Sequence, residues 1–129
     1  MKTHVLLIDD DEDELKFITE CLNQVNMAFK CTWARSGGQA LKQLAYLKPD
    51  IIFLDLKMPG TDGFECLDVI NQLPHLRDVP IVLHSSVMTD ECREMGMKHG
   101  ATVCLVKPLD AGEFTIVLQE LKLGQITVS

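Results

Sequence analysis

Between Pro49 and the pair Pro59-Gly60 the chain carries one short apolar run, Ile51-Ile52-Phe53-Leu54, which ends on a carboxylate, Asp55. Four consecutive large apolar residues leave no polar face, so the run reads as a strand covered on both sides, as central strands of parallel sheets are. The flanking prolines keep it short, because a helix cannot run on through them. Open parallel sheets build their sites at the C-terminal ends of strands, and that is where Asp55 stands.

Four further segments fit the same sheet. Val5 to Ile8 ends in Asp9-Asp10-Asp11-Glu12-Asp13-Glu14, and Phe29 to Ala34 alternates Cys31 and Trp33 with Lys30 and Thr32. Pro80 to Leu83 ends in His84-Ser85-Ser86, and Val103 to Val106 ends at Lys107-Pro108. Between these runs the apolar period changes to that of a helix. Leu15, Ile18, Leu22 and Val25 form one such stripe. Ala40, Leu41, Leu44 and Leu47 form a second, opened by Ser36-Gly37-Gly38 and closed by Lys48-Pro49. Phe64, Leu67, Ile70 and Leu73 form a third, stopped before Pro74. A fourth helix is expected from an N-cap at Thr89 through Lys98, with Gly100 as its stop, and Phe114, Val117, Leu118 and Leu121 mark a fifth.

Five strands alternating with five helices imply βαβ units with right-handed crossovers. The expected fold is therefore α/β, three-layered, with a five-stranded parallel sheet covered by helices on both faces. No long linker, repeat or low-complexity tract interrupts it. The reading is one domain over residues 1–129 with no output domain, its tail loosely ordered after about residue 123.

Composition limits the partners. The 129 residues carry a formal charge of -7, and no Lys/Arg cluster occurs, which argues against nucleic-acid binding. Cys21, Cys31, Cys66, Cys92 and Cys104 are odd in number, with no Cys-x-x-Cys pair and no His at zinc-ligand spacing. They read as small buried hydrophobes in a reducing compartment. No signal peptide and no membrane-length apolar run is present, so a cytoplasmic location without membrane attachment is expected.

The strand ends carry the chemistry. Asp9 and Asp10 follow the first strand, Asp55 the third, Ser85 the fourth and Lys107 the fifth, and a parallel sheet brings all of them to one edge. Two carboxylates about 4 Å apart repel by roughly 4 kcal/mol at an intermediate dielectric. A hard divalent cation together with the Lys107 ammonium would neutralise the group, and carboxylate oxygens suit magnesium. A carboxylate beside a metal, a lysine and a hydroxyl is also equipped to accept a phosphoryl group, with Asp55 the best-placed nucleophile.

With these pieces in order, the chain resembles a response-regulator receiver domain of two-component signalling along essentially its whole length. The resemblance rests on Leu7-Ile8-Asp9-Asp10-Asp11, Leu54-Asp55-Leu56-Lys57-Met58-Pro59 with Asp62-Gly63, Pro80-Ile81-Val82-Leu83-His84-Ser85-Ser86, Gly100-Ala101 and Lys107-Pro108. It implies a flavodoxin-like strand order 2-1-3-4-5 and a cis Lys107-Pro108 bond. Asp55 would be the phosphoacceptor. Asp10, Asp55 and the backbone carbonyl of Lys57 would bind Mg2+ (or Mn2+) directly, and Asp9 through water. Lys107 would hold a phosphoryl oxygen, and Ser85 would move to hydrogen-bond the phosphoryl group.

The donor would be a phosphohistidine on a sensor histidine kinase or a histidine phosphotransfer protein, in a two-component system or phosphorelay. A downstream protein partner would read the state, through the face of the fourth helix, fifth strand and fifth helix. Such a domain promotes its own phosphorylation and dephosphorylation but is no turnover enzyme, and it would be a monomer or weak dimer. Two alternatives share the motif: a phosphorylation-independent pseudo-receiver, and a phosphohydrolase with an aspartyl nucleophile. Enzymes of the latter, haloacid dehalogenase type carry a second Asp two residues after the nucleophile, where this chain has Lys57.

The sequence departs from the family at Cys104, three residues before the lysine, where receivers commonly carry Tyr or Phe. Cys104 is read as a plain strand residue, and switching is expected to run mainly through Ser85 to Gly96. Lys57 and Val87 offer no group to orient a hydrolytic water, so slow autodephosphorylation is expected. His84 is expected to point away from the site by strand alternation. Glu12, Asp13 and Glu14 read as solvated acids at a helix start, Asp62 as a turn residue and no ligand. Met88, Cys92 and Met95 read as core, and Met97 as part of an adaptable partner surface.

Overall fold

The computed structural model describes residues 2–25 and 28–122, so the expected loose tail after about residue 123 lies outside the described residues. Five strands, β1 (Thr3–Ile8), β2 (Phe29–Ala34), β3 (Ile51–Asp55), β4 (Ile81–Ser85) and β5 (Val103–Val106), pair in parallel in the order β2-β1-β3-β4-β5. Helices α1 (Glu12–Gln24), α2 (Gly37–Leu44), α3 (Gly63–Gln72), α4 (Asp90–Lys98) and α5 (Ala111–Lys122) connect and cover them. The strand order expected from the resemblance is the one observed.

Strand alternation sorts the core into two layers. Val5, Leu7, Ile51, Phe53 and Val82 point to one face, where they meet Ile18 and Leu22 of α1 and Phe114 and Leu118 of α5. Leu6, Ile8, Ile52, Leu54 and Leu83 point to the other, against Leu44 of α2 and Leu67 and Ile70 of α3. Ile51 to Leu54 are all completely buried, as a run without a polar face requires. Each such side chain contributes about 1.5–3 kcal/mol. Phe53 stacks on Phe114 at 5.2 Å, tying the central strand to α5.

Short polar side chains set where the helices begin. Asp11, Ser36, Asp62 and Thr89 are the N-caps of α1, α2, α3 and α4, each accepting a backbone N–H from the first turn. Such a cap contributes about 1 kcal/mol. Asp62, expected to order the turn with Gly63, accepts from Phe64 and Glu65 and so starts α3. Gly100 follows α4 at φ +112°, a conformation that side chains rarely adopt.

Two expectations are corrected. Helix α2 ends at Leu44 and does not reach Lys48: the Leu44 carbonyl accepts a hydrogen bond from His75 Nε2 at 2.7 Å, and Tyr46 beyond it is exposed. Met95 is exposed and not core, because the inward line of α4 runs through Cys92 and Gly96. Gly96 is buried so closely that a Cβ there would lie 2.7 Å from Leu83 and 2.9 Å from Cys104 Sγ. Met97, on another face, is exposed as expected.

All five cysteines are free thiols, and burial pushes Cys31 and Cys66 up to about 11. Among the described residues no helix is long and apolar enough to cross a membrane.

Candidate functional site

The carboxyl edge of the sheet gathers the polar strand-end residues. Asp9 extends β1 by donating its N–H to Ala34 and is fully buried. Its side chain accepts the Asp11 N–H at Oδ1 (2.9 Å) and the Lys107 ammonium at Oδ2 (2.7 Å). Its carbonyl accepts the Trp33 indole N–H at 2.7 Å, so β2 also holds this corner. Asp10 is exposed, with its carboxylate turned to the same cleft as Asp9 and Asp55, and oxygens of the three lie within 4.8 Å of one another.

Asp55 closes β3 and is 5% exposed. One oxygen accepts the Lys57 N–H at 3.2 Å, and the other stands 3.5 Å from Lys107 Nζ. Burial pushes its carboxyl up to about 6, helped by the charge of Asp9 and opposed by Lys107. Lys107 is itself held above its ordinary value: burial works against its charge, but the bond to Asp9 and the charges of Asp9, Asp55 and Glu14 outweigh that. The Lys107-Pro108 bond is cis.

Ser85 is fully buried at the end of β4, its hydroxyl accepting the Val87 N–H at 3.3 Å. Backbone bonds continue the sheet past the strands: Leu56 N–H donates to the His84 carbonyl, and Lys107 N–H to that of Ser85. Those two bonds fix the turns carrying Asp55 and Lys107 onto β4. The structure thus brings Asp9, Asp10, Asp55 and Lys107 into one cluster, while Ser85 ends the neighbouring strand β4. The all-oxygen donor set of the three aspartates, compensated by one ammonium, fits a hard divalent cation.

Two residues were misjudged from sequence. His84 is fully buried and does not point away: its Nε2 lies 3.7 Å from Asp9 Oδ2, and its ring meets Phe53 edge-on. Asp9 continues the inward parity of Val5 and Leu7, and His84 that of Val82, so both emerge on the face covered by α1 and α5. Glu14 is no solvated acid, since its Oε2 is buried over the same spot and burial raises its carboxyl. Comparing the parity of the two strand ends would have found His84; nothing in the sequence placed Glu14.

A sequence model of the response regulator receiver domain matches residues 5–119. The chain belongs to that family. As a receiver domain it is a module of two-component signalling systems. It is 33% identical over 110 residues to response regulator PleD of Caulobacter vibrioides, covering 85% of this chain and 24% of that protein. The chain spans about a quarter of the length of the curated relatives it first matches.

Its fold superposes on a putative response regulator from Chloroflexus aurantiacus with a TM-score of 0.86, at 24% identity, covering 95% of this chain and 99% of that one. The Mn(2+)-bound form of response regulator Rcp1 matches with a TM-score of 0.77 at 23% identity over 92% of both chains.

Proposed function

We propose that this receiver accepts a phosphoryl group on Asp55 from a phosphohistidine of a sensor kinase or phosphotransfer protein. The observation that carries the reading is Asp55 itself, a nearly buried carboxylate at the sheet's centre with Lys107 Nζ 3.5 Å away and two further aspartates beside it. In the transfer an Asp55 oxygen attacks phosphorus, the P–N bond breaks, and its electron pair returns to the donor imidazole.

Asp10, Asp55 and the Lys57 carbonyl would hold Mg2+ or Mn2+, with Asp9 reaching it through water. The cation supplies charge that neutralises and orients the phosphoryl oxygens. Lys107, already between Asp9 and Asp55, is placed to turn to a phosphoryl oxygen. Ser85 would exchange its bond to Val87 N–H for one to the phosphoryl group. The two states then differ in their affinity for a downstream protein, a population shift and not a turnover reaction.

Incubation of the full chain with acetyl phosphate and Mg2+, followed by intact mass, tests this. One phosphoryl group gained by the wild type and none by Asp55→Asn is expected. No gain in the wild type would make the domain a phosphorylation-independent binding module.

A further inference from the structure

A second cluster, sharing Asp9 with the first, gathers Glu14 and His84. Donor atoms of Asp9, Glu14 and His84 lie within 4.8 Å of one another. His84 is fully buried, and neither ring nitrogen has a hydrogen-bond partner. Glu14 Oε2 is likewise buried and unpartnered. Of the four buried side-chain atoms without partners among the described residues, three belong to Glu14 and His84. Leaving such an atom unsatisfied costs its full desolvation, so a resident group is called for.

We propose that Asp9, Glu14 and His84 form a second cation site, selective for a first-row transition ion of the Zn2+ class. The donor set makes the class: magnesium avoids imidazole, whereas one imidazole and two carboxylates suit zinc and its neighbours. Bonds of about 2.0–2.1 Å at tetrahedral angles put donors roughly 3.4 Å apart. The 3.7 Å between His84 Nε2 and Asp9 Oδ2 needs only a small contraction to reach that.

Charge favours a cation over a bridging water. Four carboxylates, Asp9, Asp10, Glu14 and Asp55, belong to the two clusters that share Asp9, and among the described residues Lys107 is the one ammonium paired with them. Access is from the side of Glu14, which lies at the start of α1 and is only half-buried. The site stands whether or not Asp55 is a phosphoacceptor, but it shares Asp9 with Lys107. An ion here therefore loosens the bond that holds the lysine away from Asp55.

The test is a Zn2+ titration of the 15N-labelled full chain in saturating Mg2+, followed through the histidine ring nitrogens by NMR and by calorimetry. One equivalent is expected to shift a His84 ring nitrogen. A shift confined to His4, His75 or His99 would mean adventitious surface binding and would overturn the site, as would His84 resonances that do not move. Glu14→Gln, which keeps the side chain's size, should weaken the Zn2+ affinity by about tenfold or more. An unchanged affinity in that variant overturns the proposal.

Discussion

The ammonium of Lys107 is hydrogen-bonded to Asp9, 2.7 Å from Oδ2, and stands off Asp55 by 3.5 Å. The lysine thus spends its shortest contact on the acid that is fully buried, and keeps the nucleophile within a small movement of its reach. Among the described residues it is also the only lysine or arginine paired with the strand-end aspartates of the pocket.

Lys107→Ala should therefore cost more stability in chelator than in Mg2+. Breaking a buried pair by removing one partner costs about 3–5 kcal/mol, and the lysine side chain is only 14% exposed. Urea unfolding with EDTA should show a loss of that order, and most of it should return in millimolar Mg2+. An equal loss under both conditions would remove the pocket's charge as the cause.

Asp55 gives a pH dependence. Its carboxyl is raised to about 6 from an ordinary 3.8, so between those values the folded state holds a proton that the unfolded chain has lost. Metal-free stability therefore falls as pH rises from about 4 to about 6, and the full penalty is present above that. Asp55→Asn should be more stable than wild type by about 1–3 kcal/mol at pH 7.5 in EDTA and level with it near pH 4. Denaturant unfolding at the two pH values checks the sign.

Behind the site, Gly96 and Cys104 share one tight contact. Gly96→Ala would bring a Cβ within 3 Å of both Leu83 and Cys104, and Cys104→Tyr would press a ring under α4. Each should lower stability by about 1–3 kcal/mol through overpacking. Thermal melts that match wild type would show that α4 yields freely.

Phosphoryl lifetime should respond to Val87, which is exposed two residues beyond Ser85. Val87→Asn adds a group able to orient water and should speed the loss of the phosphoryl group by about tenfold, some 1.4 kcal/mol of barrier. Decay followed by intact mass measures it, and an unchanged half-life would count against this position.

Readout is expected to run through the segment from Ser85 to Gly96. Cys104 is buried against α4, and Arg93 donates from that helix to its carbonyl at 2.7 Å, so helix and edge strand are tied together. Hydrogen exchange with and without beryllofluoride should change most from Ser85 to Gly96. Changes restricted to β5 and α5 would sink this prediction.

Much of this architecture was legible in the sequence because apolar period and turn chemistry agreed. Ile51 to Leu54 could be little other than a central strand, and Asp62 and Thr89 stand at their helix starts as short acceptors should. The acidic cluster followed from the strand ends alone. What escaped depended on the third dimension. Helix α2 stops early because His75, far along the chain, takes the Leu44 carbonyl. Glu14 looked like a helix-start acid because three acids in a row disguise the one that folds back over Asp9.

One last consequence comes from the two backbone bonds beyond the ends of the strands. The consecutive carbonyls of His84 and Ser85 receive the N–H groups of Leu56 and Lys107, so the turn bearing the nucleophile and the turn bearing the lysine hang from adjacent links of one strand. A displacement of this strand end would therefore bear on both jaws of the pocket.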